Sequence, residues 1–143
     1  MSSCGRFDIS LPADGVEENK LHLAHWFTVD DLMFLKRGGR ISAATAVMGS
    51  MLSNKPVLHV DDAGHLVNVS KARGRRASLR ALVDKMEQTA IHPENQTVFI
   101  GHGDCLEDAQ WVAEEVRRRF GTRSSIMGTM ETRKTSRYFW NIV

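Results

Sequence analysis

Two short apolar runs, Val57 to Val60 and Leu66 to Val69, flank the link Asp61-Asp62-Ala63-Gly64. Each run has strand length, and the Asp- and Gly-containing link suits a tight reversal, so the spacing predicts a β-hairpin. A hairpin commits the chain to an antiparallel ladder, and such a ladder is stable only when one of its faces is covered. The cover is legible nearby. Ala77 to Ala90 carries Leu79, Leu82, Val83 and Met86 at the i, i+3, i+4, i+7 spacing of one helical face.

The remaining elements alternate. Leu21 to Val29 reads as a strand, and Asp30 is expected to cap a short helix whose apolar face is Leu32, Met33 and Leu35 and whose end is Gly38-Gly39. Ser42 is placed to cap a further helix, Ala43 to Leu52, built mostly from small side chains. Thr97 to Ile100 is a short strand that turns through Gly101-His102-Gly103 into a helix. There Asp104 and Glu107 resemble a capping box, and Leu106, Ala109, Ala113, Val116 and Phe120 form the buried stripe before Gly121 stops it. Interleaved strands and helices around a hairpin predict an α/β (α+β) fold, a mixed sheet with helices packed on it. At 143 residues the chain has room for one core rather than two. Residues 1–16 lack periodicity and read as a poorly ordered arm or a remnant. The tail, 129–143, has no clean period and ends in Tyr138-Phe139-Trp140, three aromatics that would form an association patch if exposed.

Several function classes drop out. The longest weakly polar stretch, Ile41 to Leu52, is interrupted by Ser42, Thr45, Gly49 and Ser50, far short of the ~18 apolar residues of a membrane span. The start has no apolar signal core, which places the chain in the cytoplasm. Cys4 and Cys105 suit neither a disulfide framework nor a zinc pattern, and His22 and His25, three apart on a strand, point to opposite faces, so no metal site is expected. The net charge of +2 does not by itself call for a polyanionic partner.

Three constellations remain. Lys36-Arg37-Gly38-Gly39-Arg40-Ile41-Ser42 sets a basic, glycine-rich loop before a helix start, where free N–H groups favour an anion; it matches neither a P-loop nor a dinucleotide fingerprint. Lys71, Arg73, Arg75, Arg76 and Arg80 form a basic run with no interleaved aromatic, so base stacking is not on offer. Cys105 beside His102 could be a nucleophile, although Asp104 reads better as a helix cap and Cys105 as a small first-turn residue.

The blocks LHLAHWFTVDDLMFLKRGGRIS, KPVLHVDDAGHLVNVSKARGRRASLRALVDKM and TVFIGHGDCLEDAQWVAEEVRRRFG, in this order, resemble the C-terminal domain of the DegV family of fatty-acid-binding proteins. The resemblance covers roughly residues 17 to 121, and the DegV-like domain is drawn at 17–128. It implies a DegV C-terminal-domain-like fold and a non-catalytic chain that binds the acyl tail of a long-chain fatty acid such as palmitate, for transport or for presentation to a fatty acid kinase. No cofactor is implied. The family motifs carried over are Gly38, Gly39, Arg40, Ile41 and Ser42, and Arg73, Gly74 and Arg75, with partner docking as their expected role. Ile41, Val47, Met48, Met51 and Leu52 are the expected lipid-lining residues. Both flanks depart from the family: no Thr-Asp-Ser motif precedes Leu21, and METRKTSRYFWNIV stands where a His-x-Gly-Pro-Gly segment is expected. A truncated domain of this kind is expected to self-associate through its uncovered interface. The alternative is an electrostatic module in which Arg40, Lys71, Arg73, Arg75 and Arg76 dock an acidic protein or a nucleic acid; under the lipid reading no nucleic acid is expected.

Overall fold

The hairpin is the nucleus of the sheet. In the computed structural model, which describes residues 15, 17–18, 20–39, 53–127 and 138–140, β2 (Asn54–Val60) and β3 (Leu66–Arg73) pair antiparallel across the Asp61–Gly64 turn. The Asp61 carboxylate accepts from the backbone N–H groups of Ala63 and His65 at 3.0 and 2.8 Å, which fixes the reversal and holds that carboxyl below its ordinary range. β1 (Trp26–Val29) lies antiparallel on the other side of β2, with Phe27 opposite Leu58. β4 (Thr97–His102) and β5 (Arg123–Met127) form a parallel pair joined by the helix between them. The strand order is β3-β2-β1-β6-β4-β5, so β6 (Tyr138–Trp140) joins the two halves, antiparallel to β1 and to β4. The three aromatics of the tail are therefore a strand with a neighbour on each side: Phe139 pairs with Thr28 and with His102.

Two helices cover one face of this sheet. α2 (Arg75–Thr89) buries Leu79, Leu82, Val83 and Met86, the four positions its periodicity singled out, and α3 (Leu106–Phe120) buries Ala109, Val112, Ala113 and Val116. With Trp26, Val57, Val98 and Ile100 from the strands they form the main core. Each large aliphatic side chain moved there from water contributes roughly 1.5–3 kcal/mol. The opposite face is built by Phe27, Val29 and Leu58, covered by Leu32 and Leu35 of α1 (Leu32–Arg37).

Four local expectations change. The first strand begins at Trp26 rather than Leu21: Lys20–His22 is a 3-10 turn, and Leu21 is 58% exposed. The partner strand explains this, since β2 gives its last bond to β1 from Val60 N–H to the His25 carbonyl and then turns away. α1 is capped by Asp31, whose carboxylate accepts from Met33 N–H at 2.8 Å, because Asp30 is occupied by Lys55 and Arg75. Asp104 does not cap α3. It sits at φ 52, Cys105 is the residue preceding the helix, and Cys105 N–H donates to His102 Nδ1 at 3.4 Å. Leu106, expected in the stripe, is half exposed, between buried Cys105 and exposed Glu107. The helix from Ala43 to Leu52 lies outside the described residues.

Candidate functional site

The two glycine-containing motifs bracket one segment of chain. Gly39, at φ 68, closes α1 by donating its N–H to the Lys36 carbonyl at 3.0 Å, and residues 40–52 follow. Where description resumes, the Ser53 carbonyl accepts from Gly74 N–H at 2.8 Å. Gly74 takes φ 85 there, a conformation an L side chain adopts only under strain, so glycine is what lets β3 turn into α2 at this point. One motif thus marks the departure of the 40–52 segment and the other is bonded to its return.

Arg75 then ties this corner to the rest of the molecule. Its Nε donates to Asp108 Oδ2 at 2.9 Å and its Nη1 approaches Asp30 Oδ1 at 3.5 Å, with the guanidinium side chain only 18% exposed. Lys55 adds a second cation to Asp30, 3.3 Å from the carboxylate and 3.1 Å from the backbone carbonyl. A planar fork is the group suited to span two carboxylates in this way. The ends of β1 and β3 and the starts of β2, α2 and α3 converge on these four side chains.

The other cations of the basic run have different surroundings. Arg76 places its guanidinium 4.6 Å above the Trp111 ring on α3, whereas Lys71 and Arg73 are exposed on the edge strand β3. Cys105 lies in the same corner, 8% exposed and 3.6 Å from Arg75 Nη2. Burial pushes its thiol up despite Arg75, which is the reverse of what a thiolate nucleophile requires.

The sheet face that packs against α1 is apolar. Phe27, Val29, Leu32, Leu35 and Leu58 are buried there, with Val60 and Leu66 against them. Further along, Phe99 alternates with the buried Val98 and Ile100 of the helical face, and so belongs to the opposite side, where it is 41% exposed. Of the residues expected to line a lipid, Ile41, Val47, Met48, Met51 and Leu52 lie outside the described residues, as do Arg40 and Ser42. Sequence reasoning missed Phe27, Leu58 and Phe99, because only the strand register reveals that they share a face. Among the described residues no His, Cys, Asp and Glu side chains gather as a metal site, and no helix is long and apolar enough to cross a membrane.

A family model described as "Uncharacterised protein, DegV family COG1307" matches residues 13–133. A DegV domain-containing protein of Clostridium perfringens is 50% identical over 112 residues, covering 78% of this chain and 38% of the relative. Protein DegV of Bacillus subtilis is 32% identical over 105 residues, 73% of this chain and 37% of that protein. Among solved structures, a DegV family protein of Ruminococcus gnavus refined with vaccenic acid superposes with a TM-score of 0.77 at 20% identity, over 94% of this chain and 50% of the other. The Streptococcus pneumoniae Fatty Acid Kinase (Fak) B3 protein, loaded with linoleic acid, gives 0.75 at 15% identity, over 95% of this chain and 50% of that one. The chain thus spans little more than a third of the curated relatives and half of the solved chains.

Proposed function

Since the chain belongs to the DegV family, we propose that it binds the acyl tail of a long-chain fatty acid, without catalysis, on the sheet face opposite α2 and α3. The observation that carries this reading is that face itself: it is apolar, with Phe27 and Leu58 packed beneath α1 and Phe99 exposed on the same side of the sheet. Ile41, Val47, Met48, Met51 and Leu52 of the 40–52 segment are the side chains this reading assigns to the acyl tail. Fatty acids in fold neighbours support the choice of ligand. An acyl chain gains ~0.8 kcal/mol for each methylene it buries, so a face lacking polar anchors still has drive for a tail.

Lys71 and Arg73, exposed beside Gly74, are the cations available to dock an acidic partner such as a fatty acid kinase. A cytoplasmic setting fits this role.

Native mass spectrometry of the chain with added palmitate tests the proposal. A 1:1 adduct is expected, weakened by about 3- to 10-fold in Phe99→Ala, as loss of part of a buried aromatic implies. Absence of an adduct with palmitate and with an unsaturated C18 acid alike overturns it.

A further inference from the structure

The helical side of the sheet holds a second concavity that the lipid reading does not use. Where α2 ends, a cleft of about 250 Å³ opens between Ala24 and Trp26 on one side and Met86, Thr89, Ala90 and Ile91 on the other, with His22 and Gln96 at its margin. Roughly eight water-sized volumes of ~30 Å³ fill it, which suits a body of about as many non-hydrogen atoms and is too small for a long acyl chain. Trp26 is on the helical face while its neighbour Phe27 is on the other, so the sheet itself separates this cleft from the proposed lipid floor.

The charges around the cleft are unequally matched. On α2 itself, Asp84 and Glu87 are turned to Arg119, at 2.6 and 3.4 Å. In the segments that flank the cleft, Glu17 is paired with Lys20 and Glu94 with His92. No carboxylate is among the lining residues. Lys85 differs from these paired groups. It is half-buried, its Nζ stands 5.7 Å from the centroid of the Trp26 ring, and it donates to the neutral amide oxygen of Gln88 at 3.0 Å. Trp26 is in turn fixed by stacking on His59, with ring centroids 4.5 Å apart. A cation whose acceptor is an exchangeable neutral amide, set beside apolar walls, suits an amphipathic anion, because an ionised acceptor binds an ammonium more strongly than a neutral one.

We infer that this cleft is a binding site for a compact carboxylate, such as an alicyclic acid in its ionised form, whose hydrocarbon body lies against Trp26, Met86, Ala90 and Ile91 while its carboxylate accepts from the Lys85 ammonium in place of Gln88. Thr89 Oγ1 donates to the Lys85 carbonyl at 2.8 Å and the side-chain amide of Gln96 donates to the Ile91 carbonyl, so the selection of charge falls to Lys85. His22 at the margin has the same sign when protonated. The site stands independently of fatty acid binding.

The test uses cyclohexanecarboxylate as probe and cyclohexanecarboxamide as its uncharged counterpart, read on the methyl resonances of the ¹³C-labelled chain, with Met86 and Ile91 reporting on the cleft and Leu58 on the opposite face. Saturable shifts of Met86 and Ile91 with Leu58 unmoved are expected. The carboxamide, and the carboxylate with Lys85→Gln, should each bind about fivefold more weakly, the effect of one partly shielded ion pair, and Lys85→Arg should keep the parent affinity. Ala90→Leu, or Ala24→Val from the facing wall should that variant fold poorly, is expected to abolish the shifts with far-UV circular dichroism unchanged. The inference is overturned if the Met86 and Ile91 resonances do not move with saturation, if Leu58 moves with them, if the carboxamide or the Lys85→Gln chain binds as tightly as the parent pair, or if filling the cleft leaves carboxylate binding intact.

Discussion

Arg75 shows how one side chain can acquire a role that its neighbours in sequence do not share. It lies in a run of cations, yet its guanidinium reaches Asp30 and Asp108, forty-five and thirty-three positions away, and is mostly shielded from water. Removing one partner of such a shielded network leaves the others with unmatched charge. Arg75→Ala is therefore expected to lower stability by about 1–3 kcal/mol in urea titrations. Arg75→Lys should recover only part of this, since an ammonium cannot span two carboxylates as a planar fork does. Arg73→Glu, on an exposed position of the edge strand, should stay within about 0.5 kcal/mol of the parent. Equal losses for Arg73 and Arg75 would contradict the contrast drawn here. The distinction was not legible in the sequence, because the basic run gives the two arginines the same local pattern and only the meeting of β1, α2 and α3 separates them.

At the scale of elements, much was legible. The hairpin and the buried face of α2 followed from period alone, and Gly121 ends α3 with φ 65 as its position suggested. What failed were the ends: Leu21 to Ala24 have strand-like composition but pair with no described strand, and Asp104 has a cap-like position but the wrong backbone. The packing of α2 against α3 also has a charged component. Arg119 on α3 contacts Asp84 and Glu87 on α2 and Glu115 one turn back, a bridge between helices that neither helix reveals by itself. Hydrogen bonds from Arg118 and Arg119 hold the Glu115 carboxyl down to about 2. A carboxyl with a depressed folded-state value stabilises the fold above its ordinary value of 4.5 and loses that contribution as pH falls toward about 2. Glu115→Gln should therefore be less stable than the parent at neutral pH and should converge with it as the solution is acidified to about pH 2. Urea midpoints measured at the two pH values check this; a constant gap would mean that Glu115 acts through packing alone.

For the whole molecule, the decisive element is β6. Without it, β3-β2-β1 and β4-β5 are separate sheets, since among the described strands only β6 is bonded to both. Removing residues 138–143 is expected to lower the midpoint and the cooperativity of thermal unfolding in circular dichroism, because the hydrogen bonds of two ladders are lost from a domain whose net stability is only ~5–15 kcal/mol. A truncated chain that still melts cooperatively at the parent temperature would show that α2 and α3 hold the halves together unaided. The sequence did not announce this strand: a three-residue element without alternation is recognisable only by the neighbours it bonds.

The same insertion sets the order in which the chain can fold. Phe27 pairs with Trp140, so the central contact of the sheet joins residues separated by nearly the whole described chain. Local pieces, the hairpin and the β4-α3-β5 unit, can form early, but their union waits for the strand that follows them all. During synthesis the apolar edges of β1 and β4 stay open until that strand has left the ribosome, which makes this the interval in which chaperone capture or aggregation competes with folding. Pulsed hydrogen exchange during refolding should accordingly protect β2 and β3 first, with the amides facing β6 in β1 and β4 gaining protection together and last. Simultaneous protection of all five other strands would instead place their assembly ahead of β6.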